Sequence, residues 1–224
     1  MWSKLLLTAS LFTPSNSGRS TSHCPNVHVL AARETFAPAG LGNATKVVDM
    51  ICNSHPGATF EAIDYPAMGH ECNPYSVQKG AQAVADQVTR FVNDCPDTQI
   101  VLVGYSQGAH IIDDAMCGGG DPHMGIADPV APVPRDVGAH VKAMIWMGSP
   151  RHTPGAPYNV GSSQSNGFDP RPKGQTCGPY NGIIQSYCDQ NDPYCSNGHD
   201  EDLHFAYARI YGDDALEFVN SKVD

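Results

Sequence analysis

The chain has 224 residues, 41% of them hydrophobic and 16% charged, with a net charge of -10 at neutral pH. That length suits one domain with a sizeable core. The 13 Lys and Arg are spread along the chain, which argues against nucleic acid as a partner, because neutralising phosphates takes clustered cations. Beyond the N-terminus no stretch approaches about 18 consecutive apolar residues, so no membrane span is expected.

The first dozen residues, MWSKLLLTASLF, set one lysine before a short apolar run, and a small, polar stretch follows. Residues 1–22 are therefore read as a signal peptide with or without a short propeptide, and 23–224 as a single domain. The next elements alternate. Asn26–Ala32 reads as a strand, Thr45–Cys52 as a short helix and Ala58–Tyr65 as a second strand stopped by Pro66. From Val77 to Val92 apolar residues recur every three or four positions, the spacing of an amphipathic helix. Gln99–Val103 is a third strand, and Ala109, Ile112, Ala115 and Met116 mark a helix that stops at Cys117-Gly118-Gly119-Gly120. Val141–Met147 is a fourth strand, Gly182–Tyr187 a short one, and Asp213–Lys222 a closing helix. Short apolar strands alternating with helices indicate a parallel sheet covered on both faces, with ligands at the carboxyl ends of the strands.

All eight cysteines lie beyond the leader, and no two have the C-x-x-C spacing of a zinc site. Disulfides formed in an oxidising compartment account for them better, so the protein is expected to be secreted and extracellular. Asn43-Ala44-Thr45 is the sole N-glycosylation sequon.

The stretch Gly104-Tyr105-Ser106-Gln107-Gly108 falls where the third strand meets the following helix. A serine hydroxyl needs a base to take its proton and must protrude from the scaffold; the G-x-S-x-G turn achieves this by a tight bend in which both glycines avoid a clash. The bend aims the Gln107 N-H at a developing oxyanion, at a helix N-terminus. In this arrangement the acid and then the histidine follow the nucleophile along the chain. His110 reads as a surface or packing residue, and His123 and His152 fall in turns, which leaves His199 and His204 in the last loop before the closing helix. Asp192, bracketed by Cys188 and Cys195 and followed by Pro193, is the favoured acid, with Asp169, Asp189, Asp200 and Asp202 as alternatives.

These residues resemble the cutinase-like serine esterases, and among them the fungal acetylxylan esterases. The likeness runs from CPNVHVLAARET at 24–35 through VLVGYSQG, CGGGDP at 117–122 and FDPRPKGQTC at 168–177 to YCDQNDPYC at 187–195 and YGDDALEFVNSK at 211–222. It implies an α/β-hydrolase of the cutinase type, with a five-stranded, mostly parallel sheet flanked by helices and no large lid. It further implies Ser106 as nucleophile, Asp192 as acid, His204 as base, and Thr35 with Gln107 as the oxyanion hole. Disulfides Cys24–Cys95, Cys117–Cys177 and Cys188–Cys195 follow from the same likeness, leaving Cys52 to pair with Cys72. Two departures stand out. One family bridge has serine at both ends here, Ser163 and Ser196, and Phe205 replaces the small polar residue expected after the base.

The implied activity is deacetylation of acetylated xylan, a polysaccharide, by a monomer that needs neither cofactor nor metal. Tyr194, beside the acid, would wall a short acyl pocket. The competing expectations are a cutinase acting on longer aliphatic esters, and a non-catalytic carbohydrate-binding protein on an esterase scaffold.

Overall fold

The computed structural model describes residues 24–172 and 174–224, with Cys72 described by its backbone alone. The expected leader at 1–22 lies outside these residues. Six parallel strands form one sheet: β1 (Val27–Ala32), β2 (Thr59–Ala62), β3 (Gln99–Tyr105), β4 (Val141–Met147), β5 (Asn159–Val160) and β6 (Ile184–Tyr187), in the order β2-β1-β3-β4-β6-β5. The sheet has six strands where five were expected. The two-residue β5 pairs with Ser186 and Tyr187 at one edge and is too short to leave a pattern of its own.

Side chains point alternately to the two faces of the sheet. Leu30 and Ala32 of β1, Ile100 and Leu102 of β3, and Met144 and Trp146 of β4 lie in one buried cluster, with α2 (Asn73–Asp94) and α3 (Gln107–Cys117). The odd-numbered residues Val29, Ala31, Val101, Val103, Ala143 and Ile145 lie in the other, with Val47, Val48 and Ile51 of α1 (Thr45–Ser54) and Ala215 and Val219 of α7 (Gly212–Asn220). Three one-turn helices complete the chain: α4 (Arg135–Gly138), α5 (Glu201–His204) and α6 (Tyr207–Ile210). Helix α2 starts four residues before the first periodic position because Pro74 is tolerated in a first helical turn. No helix among the described residues is long and apolar enough to cross a membrane.

Three disulfides form as expected. Cys24–Cys95 fastens the residues before β1 to the end of α2, Cys117–Cys177 ties the end of α3 to the loop before β6, and Cys188–Cys195 closes a ring around Asp192. The expected Cys52–Cys72 bridge is not made: Cys52 is a half-buried free thiol, and the side chain of Cys72 lies outside the described residues.

Ser163 and Ser196, the two serines at the missing bridge, are both buried and meet with Oγ atoms 2.9 Å apart. A hydrogen bond therefore joins the segments that a covalent link would otherwise hold. The double variant Ser163→Cys/Ser196→Cys is expected to form a fourth disulfide and to stabilise the protein by about 3 kcal/mol, since the closed loop is of moderate length. Denaturant midpoints with and without a reducing agent check this; equal midpoints would show that the bond does not form.

Candidate active site

Strand β3 ends at Tyr105, and the chain turns into α3 through Ser106, whose backbone takes φ 51° and ψ -117°. An L-residue rarely adopts that conformation, and it persists because the surroundings fix it. The Ser106 N-H donates to Met147 O of β4 at 2.7 Å. A Cβ on Gly108 would lie 2.0 Å from Ala32 O and one on Gly104 2.5 Å from Ala109 Cα, so both elbow glycines are required by close backbone approach. Helix α3 thereby starts directly above β1 and β3, with Ser106 at its N-cap.

The residues expected as base and acid, His204 and Asp192, come from the far end of the chain. His204 closes α5, and its Nδ1 lies 2.7 Å from Asp192 Oδ2. The other oxygen of Asp192, Oδ1, accepts the N-H groups of Tyr194 (2.6 Å) and Cys195 (2.9 Å). Burial alone would push this carboxyl up, but the bond and charge of His204 and the two N-H donors hold it below the usual carboxylate range. Its contribution to stability is therefore present above the ordinary carboxylate pKa and is lost as pH falls through its lowered value. The imidazole is boxed in by aromatic rings: Tyr194 at 4.5 Å, Phe205 at 5.3 Å and, edge-on, Tyr105 at 6.1 Å. Gly148 leaves room for it, since a Cβ there would sit 2.7 Å from His204 Cε1.

Ser106, Gln107, Thr35 and His204 line one cavity of about 360 Å³, together with Phe36, Phe168, Tyr194 and Phe205. The Gln107 side chain is fully engaged. Its Oε1 accepts from Ser76 Oγ at 2.9 Å, and its Nε2 donates to Met68 O at 2.8 Å and to Asn73 Oδ1. With the side chain tied down, its backbone N-H has a fixed direction at the start of α3. Thr35 is held indirectly: the buried Arg33 donates to Ala37 O (3.0 Å) and to Tyr65 O (2.8 Å), and Phe36 N donates to Ala67 O at 2.7 Å. Phe36, Ala67, His70 and Ser106 are the non-glycine residues with positive φ among those described, and Phe36, His70 and Ser106 line the cavity.

The other acids have different partners. Asp189 accepts from Tyr211 Oη and Ser162, and Asp200 caps α5 through Leu203 N. His199 is exposed, whereas His152 is buried, and burial lowers the pKa of its ring. His110 differs from its sequence reading as a surface or packing residue. It is 1% exposed, lines the cavity floor, and sits in an ionic cluster with Asp114, Asp121, Asp169 and Arg151. Sequence reasoning missed this cluster because its members are drawn from four separate segments of chain. The ligand atoms of His110, Asp114 and Asp121 lie within 4.8 Å of one another, a spacing that would suit a metal ion. Arg151 enters the same space, however, with Nε 3.3 Å from Asp114 and Nη1 3.3 Å from Asp121, so the protein supplies its own cation there.

A nucleophile elbow, an acid and imidazole in contact and a shared cavity are the parts of a serine hydrolase. Residues 23–223 match the family model of cutinase. The chain belongs to the cutinase family. Within that family it is 48% identical over 206 residues to an acetylxylan esterase of Hypocrea jecorina, covering 89% of this chain and 68% of that protein. It is 46% identical over 228 residues to cutinase 11 of Verticillium dahliae, covering 99% and 77%. The catalytic core domain of acetyl xylan esterase from Trichoderma reesei superposes with a TM-score of 0.87 at 48% identity, covering 89% of this chain and all of that one. Family membership and site geometry agree: the chain is a carboxylic ester hydrolase of the serine type.

Proposed function

We propose that the protein is an extracellular, monomeric esterase that removes acetyl groups from xylan, with residues 23–224 as one catalytic domain. The observation that carries the reading is Asp192, buried and ionised, bonded to His204 Nδ1 through one oxygen and to two backbone N-H groups through the other. That arrangement leaves His204 Nε2 free to take a proton. His204 removes the proton of Ser106 Oγ as the oxygen attacks the ester carbonyl, and the N-H groups of Gln107 and Thr35 receive the oxyanion. The imidazolium then protonates the departing sugar hydroxyl, and water repeats the cycle on the acetyl-enzyme. No cofactor or metal enters any step. The relatives named acetylxylan esterase support the substrate class. Disulfides support an extracellular setting. A glycan on Asn43 is compatible with the fold, because its amide donates to Glu34 Oε1 and keeps a second N-H for the linkage.

Tyr194 limits the acyl pocket. It stands against the His204 ring, and its backbone is fixed by Asp192 on one side and by Phe168 N on the other. Release of acetate from acetylated xylan tests the substrate. The p-nitrophenyl acetate, butyrate and laurate series tests the acyl limit: rates should fall with chain length, and Tyr194→Ala should raise the butyrate to acetate ratio about tenfold. A wild-type preference for laurate would sink the acetyl assignment. It would favour a cutinase that uses the exposed Phe36, Phe168 and Phe205 around the cavity as an apolar rim.

A further inference from the structure

The cluster beneath the cavity contains four buried carboxylates, Asp113, Asp114, Asp121 and Asp169, and two arginines, Arg151 and Arg171. His110 Nε2 is where three of those acids converge, at 2.6 Å from Asp121 Oδ2, 3.4 Å from Asp114 Oδ2 and 3.6 Å from Asp169 Oδ2. Arg171 is committed elsewhere, to Asp113 at 3.0 Å and to Gly118 O at 2.7 Å. With a neutral imidazole Arg151 would face three acids, of which Asp169 is pushed up by burial and by Asp121 and also touches the exposed His123. Buried like charges at such distances cost several kcal/mol unless a counter-charge joins them.

The cluster also has a mechanical position. His110 is one turn beyond Ser106, and its N-H donates to Ser106 O at 3.1 Å. Arg151 donates to Asp169 O (3.4 Å) and Gly120 O (3.2 Å), and Asp169 N donates to Pro150 O at 3.0 Å. The neighbouring Phe168 N donates to Tyr194 O at 2.7 Å. One chain of contacts thus runs from the nucleophile helix through His110 and Asp169 to Phe168, and on to the loop that holds Asp192. Pro150, Phe168 and Tyr194 all line the cavity.

We propose that His110 is a positioning residue of the esterase site: its imidazolium, shared by Asp114, Asp121 and Asp169, ties the nucleophile helix to the cavity wall and the acid-bearing loop. The function in hydrolysis rests on the esterase reading above, whereas the charge state of the ring does not. Facing it are Asp114 from α3, Asp121 from the turn after α3, Arg151 from the segment after β4 and Asp169 from the wall. Asp113 and Arg171 pair beside them, the exposed His123 touches Asp169 Oδ1 at 2.9 Å, and Glu34 lines the same cavity. Burial disfavours the charged ring, but Asp114 and the bond to Asp121 outweigh it and push His110 up to about 9. A group raised in this way contributes stability in full below its unfolded pKa, about 6.5 for histidine, and loses the contribution as pH rises through about 9.

The test uses the wild type, His110→Gln and Asp121→Asn, with kcat/KM on p-nitrophenyl acetate and melting temperature followed from pH 6 to 10, and the histidine ring resonances of the wild type followed by NMR. The wild type should lose activity and melting temperature together on the alkaline side, near pH 9. His110→Gln should lack that alkaline limb and fall about tenfold in kcat/KM at pH 7, as expected for a small misplacement of reacting groups. Asp121→Asn should move the limb to lower pH. A His110 ring that titrates near its ordinary value, or a His110→Gln enzyme that keeps the wild-type limb, overturns the proposal. The ring titration decides the charge state even if a variant fails to fold. Were the protein inactive on every ester, the ring and melting data would still stand apart from the failure of the esterase reading.

Discussion

Ser106→Ala lowers kcat on p-nitrophenyl acetate by about 10⁶-fold, the loss expected when the nucleophile of a triad is removed and only the remaining site is left. The fold should survive, because the hydroxyl supplies no hydrogen bond that caps α3. The backbone of Ser106 allows a second variant to separate chemistry from folding. At φ 51° and ψ -117° a glycine is less strained than any L-residue, so Ser106→Gly should be equally inactive yet more stable than wild type by about 1 kcal/mol. Urea midpoints beside the rate measurements check both statements. A Ser106→Ala enzyme with wild-type turnover would remove the serine from the mechanism.

Asp192→Asn should cost about 10⁴-fold in kcat, and the geometry explains why the isosteric change is so damaging. Two backbone N-H groups, from Tyr194 and Cys195, point at Oδ1. The asparagine must therefore place its carbonyl oxygen there and turn its NH₂ toward His204 Nδ1. That nitrogen then has to accept, so the ring proton moves to Nε2, the atom that must accept the proton of Ser106. The variant should keep its structure and lose its base. The pH dependence of kcat and the tautomer read from ring nitrogen shifts check this together. A residual rate within tenfold of wild type would mean that the two N-H groups do not fix the amide.

Elements whose packing is local were legible in the chain. Ala143–Met147 of β4 is buried on both faces and reads as an unbroken apolar run, and α2 shows its periodicity because one face alone packs on the sheet. The elbow was legible because its two glycines answer to contacts within the same strand-turn-helix unit or with the adjacent β1. What was not legible depended on partners distant in sequence. Asn159–Val160 is a strand only because β6 lies beside it. Asp192 stands apart from Asp189 and Asp200 only through contacts the chain does not spell out: those two bond to Tyr211 and cap α5, whereas Asp192 meets His204. His110 looks like any residue on a helix until Asp121, Arg151 and Asp169 are brought to it from 11, 41 and 59 positions further along the chain. Ser163 and Ser196 were recognisable as a pair by comparison with the family's cysteines, and their contact follows from that.

The positive-φ residues Phe36, Ala67, His70 and Ser106 have a consequence for anyone wishing to harden the enzyme. Each such backbone costs about 1–3 kcal/mol, and all four belong to the loops and turn that surround the hydrolytic centre. Replacing them with glycine would be the most direct route to a more heat-resistant protein, and also the route that blunts it, because it strips the Ser106 hydroxyl and the Phe36 and His70 side chains from the cavity. Thermal robustness is better sought where Ser163 meets Ser196, neither of which has a positive φ: Ser196 follows Cys195 in the loop that holds Asp192, so a bridge there stiffens that loop without removing a side chain from the cavity.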